Sequence, residues 1–260
     1  MRTDVEPGAT GDLDRWFLAG LGRAWRGTQL LCLPHSGGNA SSYRGWLAGA
    51  ETEVDVVPVQ LPGRETRLTE PAITDQPTLI AELARVVEAA PFRRIALFGH
   101  SMGAVLAVNL CRALEAAGVP VAHLFVSGHG GPSQRPVADF PTDSSDEELL
   151  EALRENGALN FEALMEHPEL REMVLRVLRS DLRLVLSGIV AGPPVQAPIT
   201  VINGQDDPIL AQWDTAEWAG LTEGRCERHL LPGDHFYLAE QGDRVARIIR
   251  TALQDAEVSG

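Results

Sequence analysis

Ser101 stands in Gly-His-Ser-Met-Gly, residues 99–103, directly after the apolar run Ile-Ala-Leu-Phe and ahead of a helix-forming stretch. Glycines two residues to either side of a serine allow a turn too tight for larger neighbours, and that turn aims Oγ away from the backbone. A hydroxyl is a weak nucleophile. It needs a general base, and the base needs a carboxylate to orient it. Further along the chain both occur, in the order acid then base. Asp206 and Asp207 close Val-Ile-Asn-Gly-Gln-Asp-Asp, and His235 follows Leu-Pro-Gly-Asp. The chemistry these residues suit is acyl transfer through a covalent serine ester.

Such a reaction also needs two N–H donors for the oxyanion that develops. The amide of Met102, the residue after the nucleophile, is one candidate. Ser36 supplies the other, from Pro-His-Ser-Gly-Gly at residues 34–38, with the Gly37 amide as the alternative. Asp234 adjoins His235, and adjacent side chains rarely face each other, so it is not the expected orienting acid. His100 neighbours the nucleophile but is expected to pack against a sheet. His35 belongs to the 34–38 loop, and His123, His129, His167 and His229 show no spacing to a partner.

Six apolar or β-branched runs, at 29–33, 54–59, 95–98, 123–127, 199–202 and 228–231, have the pattern of strands buried on both faces of a parallel sheet. Helical periodicity at 78–90 and 104–117 lies between them, the second ending at Gly118. Alternation of strand and helix implies an α/β fold, a mostly parallel central sheet with helices on both faces. About seventy residues separate the fourth run from the fifth, too many for a loop. Ser145 and Glu148 have capping-box spacing there, and leucines and valines recur at helical intervals from Leu149 to Val185. The expectation is one domain over 1–260, with a helical lid insertion at about 133–195.

A formal charge of -14 argues against nucleic acid as a partner. No run of eighteen apolar residues appears, and the first ten residues are unlike a secretory signal, so a cytoplasmic protein without membrane contact is expected. Cys32, Cys111 and Cys226 lie apart and without metal-ligand spacing, as buried free thiols do.

Several segments together resemble the type II thioesterases, the discrete editing enzymes of polyketide and nonribosomal peptide assembly lines, within the α/β-hydrolase superfamily. They are Pro-His-Ser-Gly-Gly at 34–38 with Ser42, Tyr43 and Trp46, Gln-Leu-Pro-Gly-Arg at 60–64 with Arg67, and Gly-His-Ser-Met-Gly. Gly-Gln-Asp-Asp at 204–207 and His-Phe-Tyr-Leu at 235–238 complete the set. The likeness runs from about residue 29 to 253. Asp234 departs from it, since the family commonly has glycine there.

The resemblance implies an α/β-hydrolase fold and a triad of Ser101, Asp207 and His235. The family's spacing prefers Asp207 to Asp206. It implies hydrolysis of stalled acyl groups from the phosphopantetheine arm of acyl or peptidyl carrier proteins, with no metal or bound cofactor; the oligomeric state is left open by the sequence, with a monomer as the default. The same residues would also suit a medium-chain acyl thioesterase or an esterase, and a non-catalytic carrier-binding module is the rival from another class. Between Asp139 and Glu172 stand eleven acidic and two basic residues, followed by Arg176, Arg179 and Arg183 on one helix face. These arginines, or Arg64 and Arg67, are expected to meet an acidic carrier or the phosphate of its arm.

Overall fold

A computed structural model describes residues 7–18, 25, 27–44, 46, 53–134, 144–155, 161–186, 188–211 and 213–258. Six parallel strands form one sheet: β1 (Thr28–Leu33), β2 (Val54–Pro58), β3 (Ile95–His100), β4 (Val121–Ser127), β5 (Ile199–Gly204) and β6 (Cys226–Leu231). Their order is β2-β1-β3-β4-β5-β6. All six expected runs are strands.

Every residue of β1, β3 and β5 is buried, which explains the unbroken hydrophobicity of those runs. Alternate side chains serve opposite faces. Leu31, Leu33, Leu97, Leu124 and Val126 join the core beneath α1 (Pro7–Trp16), α2 (Gln76–Ala89) and α3 (Met102–Ala116). Leu30, Cys32, Phe98, Phe125 and Ile202 join Tyr237, Val245, Ile249 and Leu253 on the other face, the last three from a later helix, Leu238–Val258. The edge strand β6 alternates instead, so Cys226 is partly exposed, whereas Cys32 and Cys111 are buried.

Helix boundaries move slightly from the periodicity. α2 begins at Gln76 because Asp75 caps it, its carboxylate accepting from the Thr78 N–H at 2.9 Å. α3 begins at Met102, directly after the serine, and Gly118 with φ +81° follows its end. The helix at Pro7–Trp16 had no counterpart in the sequence reading; Leu13 and Trp16 bury themselves in the core.

Between β4 and β5 lie α4 (Asp146–Glu155), α5 (Phe161–Glu166) and α6 (Pro168–Val185), followed in the chain by α7 (Leu238–Val258) after β6. The capping box opens α4: the Ser145 N–H donates to Glu148 at 2.7 Å, and the Glu148 N–H donates to Ser145 Oγ at 3.2 Å. Leu149, Leu175 and Leu178 pack together as a small separate core. Parts of the expected insertion, residues 135–143, 156–160 and 187, lie outside the described residues. No helix among the described residues is long and apolar enough to cross a membrane.

Candidate active site

The chain adds β2 on one side of β1 and then β3 on the other. Loops leaving the C-terminal ends of β1 and β3 therefore diverge, opening a crevice between them. Register decides what stands there. Leu33 pairs with Gly99, so residues 34–38 emerge beside His100 and Ser101. Ser127 of β4 pairs with both His100 and Ile202, and Gly204 pairs with Leu231. The loops carrying Asp207 and His235 thus leave the sheet side by side.

Ser101 has φ +54° and ψ -118°, a conformation that costs a non-glycine residue of order 1–3 kcal/mol. The turn is over-determined by its surroundings. The Ser101 N–H donates to the Ser127 carbonyl at 2.8 Å, and its own carbonyl accepts from Ala104 at 2.9 Å. A β-carbon at Gly99 would collide with the Gly103 carbonyl, and one at Gly103 with the Leu33 carbonyl. That crowding is why the motif needs both glycines. Met102 opens α3, where backbone N–H groups have no partner within the helix.

His235 is buried, and its Nδ1 donates to Asp207 Oδ2 at 2.7 Å. A carboxylate only accepts, so Nδ1 carries the proton and Nε2 of the neutral ring is left as the acceptor. That is the tautomer a general base requires. Asp207 is 5 % exposed, and its other oxygen accepts from the Ile209 N–H at 2.9 Å. Asp206 is exposed to solvent. Asp234 is also exposed and turns away, accepting from the Phe236 N–H at 2.8 Å.

Ser36, Ser101, Met102 and His235 line one pocket, together with His35, His129 and Phe236. It holds about 1040 Å³ of empty space, open solvent included. Apart from Gln134 the rest of its wall is apolar, and includes Val105 from α3, Leu149 and Leu153 from α4, and Leu178, Leu182 and Val185 from α6. Leu149 and Leu178 therefore do two jobs, since they also belong to the small core between α4 and α6.

The 34–38 loop is held at each peptide. His35 Nδ1–H donates to the Ser36 carbonyl at 2.9 Å, and the Gly38 N–H donates to the His35 carbonyl at 2.9 Å. The Gly37 N–H donates to Asp181 Oδ2 of α6 at 2.8 Å. Gly37 is thus committed elsewhere, which leaves the Ser36 amide as the candidate oxyanion donor.

Burial depresses three neighbouring histidines: His35 to about 4, His129 to about 3, and His100 well below the usual value. All three are neutral near pH 7. His100 acts as scaffold. The Tyr237 hydroxyl donates to the Ile202 carbonyl at 2.9 Å, so Ser127 Oγ–H donates to Tyr237 at 2.7 Å. His100 Nδ1–H then donates to Ser127 Oγ at 2.8 Å. His129 was passed over for want of partner spacing, yet it forms part of the pocket wall. Its Nδ1 accepts from the Gly131 N–H at 3.1 Å.

Two expectations about arginines are corrected. Arg64 and Arg67 are buried and ion-paired within the chain, so neither is placed to meet a partner molecule. Arg64 pairs with Asp181, and Arg67 pairs with Glu70 at 2.7 Å while lying over the Trp16 ring. Arg179 is pinned to the start of α4, donating to the Ser144 carbonyl at 2.6 Å and to Asp146 at 2.7 Å. Arg176 and Arg183 remain exposed.

Comparison with known proteins agrees with this fold. The thioesterase domain family matches residues 28–253. The chain is 32% identical to linear gramicidin dehydrogenase LgrE of Brevibacillus parabrevis, over 97% of this chain and 95% of that protein. It is 30% identical to the gramicidin S biosynthesis protein GrsT of Aneurinibacillus migulanus, over 88% of this chain and 90% of that protein. The type II thioesterase BorB from the borrelidin biosynthetic cluster superposes with a TM-score of 0.80 at 35% identity, covering 92% of this chain and 98% of BorB. The chain belongs to the thioesterase domain family: it is a hydrolase of thioesters on an α/β-hydrolase fold.

Proposed function

We propose that this chain is a type II thioesterase that releases acyl groups from the phosphopantetheine arm of acyl or peptidyl carrier proteins, through a serine ester on Ser101. The observation that carries the reading is the 2.7 Å bond from His235 Nδ1 to Asp207, with His235 and Ser101 on the wall of one apolar pocket. Relatives named for gramicidin S and borrelidin biosynthesis support the assembly-line setting.

Ser101 Oγ attacks the thioester carbonyl carbon while His235 Nε2 takes the hydroxyl proton. The amides of Met102 and Ser36 receive the oxyanion. As the C–S bond breaks, the imidazolium returns its proton to the departing sulfur. Water then adds to the serine ester, again losing a proton to His235, and collapse releases the carboxylic acid and restores Ser101. Asp207 holds the ring in place and stabilises the imidazolium. Thiolates leave readily, so positioning and oxyanion stabilisation are the enzyme's main contributions. Water is the only co-reactant.

The test is mass spectrometry of a panel of acylated carrier proteins after incubation with the enzyme, beside acyl-N-acetylcysteamine and p-nitrophenyl esters. Preferential release of free phosphopantetheine thiol from carriers is expected. Faster turnover of free esters than of carrier-bound thioesters would make it a general esterase of the same fold. Unchanged deacylation by Ser101→Ala would remove the serine mechanism altogether.

A further inference from the structure

Asp181 sits on α6 among Val177, Leu178 and Leu184, on the face turned inward, and is 0 % exposed. Nothing in the hydrolytic scheme above uses it. Its partner is Arg64, 3 % exposed, from the Gln-Leu-Pro-Gly-Arg segment after β2. Arg64 Nη1 donates to Asp181 Oδ2 at 2.9 Å, and Nη2 donates to Oδ1. The same Nη1 donates to the Gly38 carbonyl at 2.9 Å, and Asp181 Oδ2 accepts from the Gly37 N–H.

Two buried charges from distant segments therefore converge on the loop that carries Ser36. Stability alone is a poor reason for such a pair. Desolvating two ions costs as much as their attraction returns, and apolar replacements of similar volume are often neutral. The loop, by contrast, needs holding. Gly37 has φ +74°, and the Gly37-Gly38 pair offers little resistance of its own to a peptide flip. The Ser36–Gly37 peptide is gripped at both ends, its carbonyl by His35 Nδ1–H and its N–H by Asp181.

We propose that Asp181 and Arg64 are positioning residues: their ion pair ties lid helix α6 to the 34–38 loop and fixes the turn through Ser36, Gly37 and Gly38, so that the Ser36 amide is aimed into the oxyanion site only when α6 is seated. The proposal rests on the assignment of the Ser36 amide as an oxyanion donor. It makes the lid part of the catalytic geometry as well as the wall of the acyl pocket. An acyl group too short to reach the lid would still depend on it.

The experiment compares wild type, R64M/D181L and D181N on propionyl-N-acetylcysteamine and on a long-chain thioester, with thermal midpoints and amide exchange of residues 34–40. R64M/D181L replaces the pair with apolar groups and is expected to fold. Its kcat on the short substrate should fall about 100-fold, the lower end of the range for loss of an oxyanion donor, with KM nearly unchanged. Exchange at Gly37 should quicken. D181N keeps an oxygen for the Gly37 N–H and should lose less than tenfold. Should R64M/D181L not fold, a threefold to tenfold fall in kcat for D181N at an unaltered midpoint carries the result. Short-substrate kcat within twofold of wild type in the folded variants overturns the proposal, as does a loss confined to KM for the long chain. Ser101→Ala, run alongside, separates the two readings: its full activity would remove the serine mechanism, whereas an inactive S101A with fully active R64M/D181L removes only the clamp.

Discussion

Asp207 accepts a 2.7 Å hydrogen bond from Nδ1 of His235, and both side chains are almost wholly buried. Asparagine at 207 would present an N–H where the oxygen now accepts, turning the imidazole toward the tautomer with no free Nε2 lone pair. D207N should lower kcat by roughly 10⁴-fold, the scale seen for loss of an orienting aspartate. D206N, at an exposed site, should stay within twofold. Steady-state kinetics on one acyl thioester decide this, and equal losses would move the acid to the pair as a whole.

Burial of His35, His123 and His129 ties stability to pH. Their pKa values in the folded protein are about 4, 4 and 3, below the ordinary 6.5. Unfolded chains therefore bind more protons than folded ones between these values, so stability falls as pH drops from about 6.5 toward 4. Each histidine contributes at most about 1.4 kcal/mol per pH unit. Thermal midpoints should be flat above pH 7 and decline below 6.5. His123 lies away from the pocket, its Nε2 on Thr200 and its ring stacked on Phe125. H123L should shrink the drop between pH 7.5 and 5, and an unaltered slope would count against the assignment.

Leu182 lines the pocket from α6, as Met102 and Val105 do from α3. A tryptophan there removes acyl-chain volume without touching the loops that carry Ser101 or His235. L182W should cut kcat/KM at least tenfold for an octanoyl or longer thioester and leave a propionyl thioester within threefold. Competition between the two acyl lengths in one reaction reads the ratio directly.

Arg176 and Arg183 are the two members of the arginine stripe that stay exposed. If they meet an acidic carrier, R176E/R183E should raise KM for acyl-carrier substrate several-fold and more strongly at low salt. KM for acyl-N-acetylcysteamine should not change. Equal effects on both substrates would exclude docking at this face.

Much of the fold could be read from the chain because the signals are local. β1, β3 and β5 showed as unbroken apolar runs, since a doubly covered parallel sheet leaves no polar face to break them. Gly99 and Gly103 announced the tight turn at Ser101 by their spacing; the crowding at Gly99 comes from Gly103, four residues on, whereas that at Gly103 comes from the distant Leu33 carbonyl. The capping box of Ser145 and Glu148 was equally legible. Asp181 gave a fainter sign, a carboxylate at an inward position of an otherwise apolar helical stripe, and its meaning depended on a partner 117 residues away.

The order of Ser101, Asp207 and His235, the residue types and the helical insertion all follow from the sequence. The choice of Asp207 over Asp206 needed the loop after β5 to show which carboxylate is buried against His235. Tertiary structure alone removed Arg64 and Arg67 from the surface, brought His129 into the pocket wall and committed the Gly37 amide to Asp181. The reason is physical. Periodicity and turn chemistry are fixed by neighbours within a few residues, whereas burial, ion pairing and the direction of a peptide N–H depend on which distant segments the sheet order sets side by side.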